Sequence, residues 1–331
     1  LQQYPNHYDG RRHLAHLYMV MANHDKAIAE YEELKALFPN RFVDHLSLGK
    51  ALNRANEPSK ALSELKMAYA QDGDKSDIAE EMGNAHVALG QTRYAIQNYK
   101  KAQKLSPDNP AISIKLAELY VTNQEPDRAV PYYQNYLKKY PQDIQAQEAL
   151  AHVYLNTKQY PEAIALIQKV LVHMTSGRAT SLQAPDKLYQ LRKQLAFAYQ
   201  MSGNLPVAIK HYESLLQTGL GSSDLQLKKN LALAYHQKGQ VESAIPLYKS
   251  VYGSNPENNA VLGNDLANAL VHVGDIQLSQ GDLDAAYSRY EEAAQSAQAD
   301  NVLPYHGMTR VLMHRIETTQ DASERSKLIS D

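Results

Sequence analysis

Four places in this chain bring reactive side chains or glycines together at short spacing: His13 with His16, Glu32 with Glu33, Glu80 with Glu81, and the stretch GLGSSD at 219–224. Each suggests a chemistry. Two histidines three apart share a helix face and would be two ligands of a metal. Adjacent carboxylates are the raw material of general acid–base catalysis. A glycine-rich loop can wrap a phosphate. None is completed by its surroundings. A zinc site needs a third ligand, and no HExxH or His/Asp cluster supplies one. The carboxylate pairs recur along the chain as solvated faces do. GLGSSD lacks the lysine of a phosphate loop, and no GxxxxGK[ST], GxGxxG or GxSxG occurs. With no cysteine, thiolate ligands and cysteine nucleophiles are excluded. The chain therefore reads as non-enzymatic, with no cofactor and no metal.

Composition narrows the partners. Of 331 residues, 44% are hydrophobic and 21% charged, as in a folded protein, and the net charge of −2 gives no field toward nucleic acid or anionic membrane. No apolar run reaches the roughly 18 residues of a spanning helix. The opening LQQYPNHYDG has no initiator Met and shares an L-x-x-Y-P skeleton with LKKYPQDIQA at 137–146, so the chain is expected to begin inside a repeat of a longer protein. Localisation is left open between the cytoplasm and the cell envelope.

The repeat itself is read from alanines. Ala27, Ala61, Ala95, Ala129 and Ala163 lie 34 residues apart, and Ala208, Ala244 and Ala286 continue the series at spacings of 45, 36 and 42. A period held this strictly marks a stacked array. With the alanine as position 20 of a unit, position 8 is always small (Ala15, Gly49, Gly83, Ala117, Ala151, Ala196, Ala232, Gly274). Position 24 is Tyr31, Leu65, Tyr99, Tyr133, Ile167, Tyr212, Tyr248 and Tyr290. Apolar residues at 4, 7, 8 and 11, and again at 20, 24 and 27, keep helical spacing. Each unit is thus two helices, A and B, joined near positions 15 to 17. Small residues at 8 and 20 let the helices approach, and the large residue at 24 fills the space against the next unit. Proline at 32 ends helix B. Asn109 is an expected N-cap with Pro110 at the first helical position. Pro131 and Pro246 fall near the start of helix B, where missing N–H groups matter little. Of the 23 tyrosines, five at position 11 and six at position 24 are packing residues.

These columns resemble the tetratricopeptide repeat (TPR) family over nearly the whole chain. The resemblance implies an all-α fold, a right-handed α-solenoid of antiparallel helix pairs, with about eight units plus C-terminal helices. The family's large aromatic at position 4 is replaced by residues such as Arg11, His45 and Ala79, so that pocket is filled differently. The organisation expected is the end of a preceding repeat at 1–7, five regular units at 8–177, an inserted loop and helix extension at 178–188, three longer units at 189–300, and a partial ninth repeat or cap at 301–331. The stretch HMTSGRATSLQAPDKLYQ at 173–190 carries 11 residues beyond the unit length. Leu188, Leu191 and Leu195 keep helical spacing back through it, with Asp186 as a possible cap, and a loop from Thr175 to Gln183 would overhang the groove edge. Because no exposed terminal faces flank it, one continuous solenoid is favoured.

The resemblance places function in a concave groove lined by A helices. Its candidate residues are Arg12, His16, Lys50 and Arg54, then Asp77, Glu80, Glu81, Asn84, Ile114, Glu118, Glu148 and His152. Lys193, Phe197, Met201, Lys229, Asn230, Leu233 and His236 complete the set. The charge runs basic, acidic, then basic with apolar contacts, which suits a peptide anchored by side chains. A carboxylate clamp of the kind some relatives use is disfavoured, because Phe197 stands where it needs Asn and Asn268 and His272 stand where it needs cations. The expected function is a scaffold binding a protein or peptide segment, with homo-oligomerisation compatible. The alternative is the recognition arm of a larger glycosyl- or sulfotransferase or of an export apparatus. RNA binding would need a continuous basic stripe, and the acidic centre argues against it.

Overall fold

The turn between helices A and B recurs as one backbone conformation. Position 15 has a left-handed φ in all eight units: Ala22, Asn56, Gly90, Gln124, Lys158, Gly203, Gly239 and Gly281, with φ between 55° and 84°. Four are glycines, which adopt this region freely; the other four carry a Cβ and hold it against a steric cost. The turn, not the residue, is what the array repeats.

The computed structural model describes residues 7–39, 41–73, 75–175, 184–254 and 260–319. Among these residues there are helices and no strands. The helix pairs are α1 (Tyr8–Val20) with α2 (His24–Leu37), α3 (Phe42–Arg54) with α4 (Pro58–Gln71), and α5 (Ser76–Ala88) with α6 (Thr92–Leu105). Then come α7 (Pro110–Thr122) with α8 (Pro126–Lys139), α9 (Ile144–Asn156), α10 (Tyr160–Thr175), and α11 (Ala184–Met201) with α12 (Leu205–Leu216). A one-turn α13 (Gly219–Ser223) precedes α14 (Leu225–Gln237) with α15 (Val241–Tyr252), α16 (Ala260–Ser279) with α17 (Leu283–Ser296), and α18 (Leu303–Thr318). The chain divides into two compact units, Leu1–Lys158 and Gln159–Asp331. Each is an α-solenoid stack of antiparallel helix pairs.

The predicted columns are the core. All eight alanines at position 20 are fully buried, as are Tyr212, Tyr248 and Tyr290 at position 24. The residue at 24 faces its own A helix rather than only the next unit: a Cβ on Gly83 would lie 2.6 Å from the Tyr99 ring, and one on Gly49 2.7 Å from the Leu65 side chain. Position 4, without the family aromatic, carries a hydrogen-bonding side chain in four of the first five units, the third having buried Ala79. Arg11 pairs with Glu30 at 2.7 Å and, one unit later, His45 Nδ1 donates to Glu64 at 2.7 Å. Asn135 donates to Ser113 at 2.9 Å, and Gln147 donates to the Pro141 carbonyl at 2.6 Å. Burial opposes ionisation of Glu64, but the bonds and charges of His45 and Lys35 outweigh it and hold this carboxyl below its ordinary range.

Helix starts follow the sequence closely. Asn109 caps α7 by accepting from the Ala111 N–H, with Pro110 at the first helical position. Two details differ. Asp186 lies inside the first turn of α11, which begins at Ala184, so it meets the positive end of the helix rather than capping it. Pro131 and Pro246 are each the sixth residue of their helices, beyond the four N–H groups that a helix start leaves free, so each removes one backbone bond. The expected loop from Thr175 to Gln183 lies, apart from Thr175, outside the described residues. The helices flanking it, α10 and α11, pack on each other within the second unit.

Candidate functional site

A helices place polar side chains on one face every few residues, and neighbouring A helices use many of these charges on each other. In the first unit, Lys50 of α3 reaches Asp77 of α5 at 3.1 Å. Lys115 of α7 reaches Glu80 of α5 at 2.7 Å. Part of the alternation of charge along the sequence is therefore a set of ties between repeats.

Glu81 goes further into the fold. It is 7% exposed. Asn53 donates both to its carboxylate, at 2.8 Å, and to its backbone carbonyl, at 2.9 Å, while Asn84 donates to the same carboxylate oxygen at 3.0 Å. Glu81 thus locks α3 to α5. Asn84 is the hub beside it: its Oδ1 accepts from the Tyr99 hydroxyl at 2.7 Å and from Lys115 at 3.0 Å. Burial, aided by the charges of Glu80, Glu81 and Glu118, raises the Tyr99 pKa, so the phenol keeps its proton and donates.

Above this network opens a pocket of about 310 Å³, lined by Val87, Tyr99, Lys115, Glu118, Leu119 and Thr122. Val87 is 45% exposed. Glu118 is exposed, and no hydrogen bond or ion pair engages it among the described residues. The arrangement offers an apolar wall, a cation tied down by Glu80 and Asn84, and a carboxylate open to solvent. Of the candidates expected here, Asn84 and Glu118 are brought together with Glu80 close by; Ile114 is half-buried on the same helix. Lys115, Val87, Leu119 and Tyr99 were not among the candidates. Val87 and Lys115 stand at positions 12 and 6, the columns that supply the candidates His236 and Glu81, while Tyr99 stands in the packing column at position 24.

The remaining candidates of this unit are spread along it. Arg12, His16 and Arg54 are exposed on α1 and α3, Glu148 is half-buried on α9, and exposed His152 meets the Asn156 amide at 3.2 Å. His13 Nδ1 donates to the Asp9 carbonyl of its own helix at 2.6 Å. No cluster of three His, Cys, Asp or Glu that could hold a metal is present among the described residues, and no described helix is long and apolar enough to cross a membrane.

In the second unit Lys193 pairs with Asp224 at 2.8 Å. Asp224 also accepts from the Tyr189 hydroxyl at 2.8 Å and caps α14 through the Leu227 N–H. Burial opposes its ionisation, but those donors win and hold its pKa below the ordinary aspartate value. Leu233 packs on the core, Phe197 is half-buried and Met201 is 45% exposed. Asn230 accepts from Gln226 at 2.8 Å, and His236 Nδ1 lies 3.4 Å from the Tyr248 hydroxyl. Burial holds the Asp265 carboxyl above its usual range, against the nearby charges of His236 and Lys229.

Two family models match: the cytochrome c-type biogenesis protein H TPR domain over residues 80–181, and the tetratricopeptide repeat over 194–259. The chain belongs to the tetratricopeptide repeat family. Among solved structures, this TPR chain superposes on a chain of a Naa15/Naa10 assembly bound to HypK-THB with a TM-score of 0.60 at 17% identity, covering 98% of this chain and 49% of that one. It also superposes on the C-terminal part of a TPR repeat-containing protein from Cytophaga hutchinsonii with a TM-score of 0.52 at 16% identity, covering 74% and 95%. At these identities the likeness is one of fold. No curated protein matches. The TPR fold makes the chain a protein-interaction scaffold.

Proposed function

We propose that the chain is non-enzymatic and holds an extended or helical segment of a partner protein against its A-helix face, with the pocket between α5 and α7 as the anchoring point. The observation that carries this reading is Glu118, exposed and unengaged beside the apolar wall of Val87 and Leu119. A partner side chain with an apolar stem and a cationic head matches both features. Affinity capture with wild type, Val87→Asp and Glu118→Lys tests it. The variants are expected to lose the same partner while melting at the wild-type temperature, and retention of that partner at equal yield by both would overturn the reading.

A second reading draws on one observation: the match to the cytochrome c-type biogenesis protein H TPR domain, residues 80–181, contains every residue lining this pocket. On that reading the captured partner is a polypeptide of cytochrome c biogenesis, and the chain is the recognition arm of a larger apparatus. Capture of polypeptides unrelated to that process would count against it.

A further inference from the structure

The A helices α1, α3, α5, α7, α9 and α14 all start at position 1 of their repeat, whereas α11 starts at Ala184, five residues before its position 1, Tyr189. The following link is also irregular, because α13 is inserted between α12 and α14. These two departures meet. Pro185 and Leu188, from the added turn of α11, face Thr218, Gly219 and Leu220 across a pocket of about 490 Å³, with Tyr189 and Leu215 also lining it. A regular 34-residue unit supplies neither wall.

The pocket is apolar and fixed. Tyr189 and Leu215 are buried, and the Tyr189 ring is held by its hydroxyl on Asp224. Leu220 is 44% exposed. Arg192 also lines the pocket; it is exposed, and no ion pair reaches it among the described residues. The nearby acid, Asp224, is engaged by Lys193, Tyr189 and the α14 N-terminus. Besides burial, the charges of Lys210 and Arg192 hold the His211 pKa down, so the positive field of Arg192 is felt at His211. An apolar cleft with an unopposed guanidinium complements an apolar side chain that carries a carboxylate beside it.

We propose that this pocket is a second docking point, taking an apolar side chain flanked by an acidic residue of a partner polypeptide. It is independent of the α5–α7 pocket.

The probe is a fluorescein-labelled peptide, Gly-Glu-Leu-Phe-Glu-Gly, titrated with the full chain and followed by anisotropy. A counterpart carries lysine in place of each glutamate. Saturable binding of the acidic peptide is expected, weakened about tenfold by Arg192→Glu and by Leu220→Asp, and unchanged by Glu118→Lys. Arg192→Glu is expected to gain affinity for the lysine peptide, which an unfolded variant would not do. No saturable binding by wild type, or binding as tight as wild type in both pocket variants, overturns the proposal. So does binding that emerges only when residues 177–182 are replaced by a Gly/Ser linker, because the chain itself would then be the occupant.

Discussion

The Tyr99 hydroxyl donates to Asn84 Oδ1 at 2.7 Å, joining position 24 of a repeat to position 9 of its own A helix. Tyr290 makes the same bond to Asp275 at 2.8 Å. Where position 9 is apolar the hydroxyl turns to position 12: Tyr212 donates to Gln200 at 3.0 Å in the unit with Phe197, and Tyr248 meets His236 at 3.4 Å in the unit with Leu233. Position 24 is therefore both a packing column and a hydrogen-bonding one.

The two kinds of bond differ in what their loss exposes. In Tyr99→Phe the Asn84 oxygen still accepts from Lys115, so a cost of about 1 kcal/mol is expected. In Tyr212→Phe a hydroxyl is removed from Gln200, which is 7% exposed, and a cost of about 2 kcal/mol is expected. Urea unfolding of the two variants checks the order, and a larger loss for Tyr99→Phe would contradict it.

The left-handed turn column predicts stabilising substitutions. Gln124→Gly and Lys158→Gly relieve a Cβ held at φ near 60° and are each expected to raise stability by about 1 kcal/mol. Gly203→Ala or Gly239→Ala imposes that strain and is expected to lower it by a similar amount. Melting temperatures that move the other way would reject the turn geometry.

Gly83→Ala places a methyl group against the Tyr99 ring at a distance no relaxed contact occupies. The expected loss is about 1–3 kcal/mol, and Gly83→Ala with Tyr99→Ile is expected to recover part of it, because isoleucine already serves at position 24, fully buried as Ile167, in the unit whose position 8 is Ala151. Equal stability of the single and double variants would show that the helices do not meet here.

Asp224→Asn removes a carboxylate that caps α14 and binds Lys193 and Tyr189, at an expected cost of about 2 kcal/mol near neutral pH. The native carboxyl is held below its unfolded value, so its contribution is complete above the unfolded value of about 3.9 and is lost as pH falls through the folded one. Wild type and variant should therefore converge in stability below about pH 3.9. A gap that persists unchanged into acid would show that the charge of Asp224 is not what stabilises.

Charge reversal separates structure from site. Glu81→Lys would bury a cation against Asn53 and Asn84 and is expected to unfold the first unit, whereas Glu118→Lys leaves the melting temperature within about 1 kcal/mol equivalent of wild type. Both residues sit on A helices at positions a repeat pattern assigns to the same face. Circular dichroism melts distinguish them.

Much of the fold was legible because a repeat states its packing several times. Eight alanines at position 20 and the small residues at position 8 specify where two helices touch, and each later unit confirms the reading of the first. The αL turn was visible only as the glycines at 90, 203, 239 and 281. Ala22, Gln124 and Lys158 carry no such sign, since the fold imposes the conformation against their preference. Likewise the loss of the family aromatic at position 4 showed at Arg11 and His45, but not the carboxylates Glu30 and Glu64 that compensate for it.

The sequence by itself determined that this is a stack of helix pairs, where the pairs of regular period begin, and which residues form their core, because helical periodicity and a 34-residue period are local properties of the chain. It placed Glu80, Glu81 and Glu118 on one kind of face and could not rank them. Tertiary structure decided that Glu80 is neutralised by Lys115, that Glu81 is buried in an amide network, and that Glu118 is open beside Val87. It also decided that Leu188 and Leu220, 32 residues apart, wall one pocket. The free energy of a charge depends on what surrounds it, and those surroundings come from neighbouring repeats that no single segment encodes.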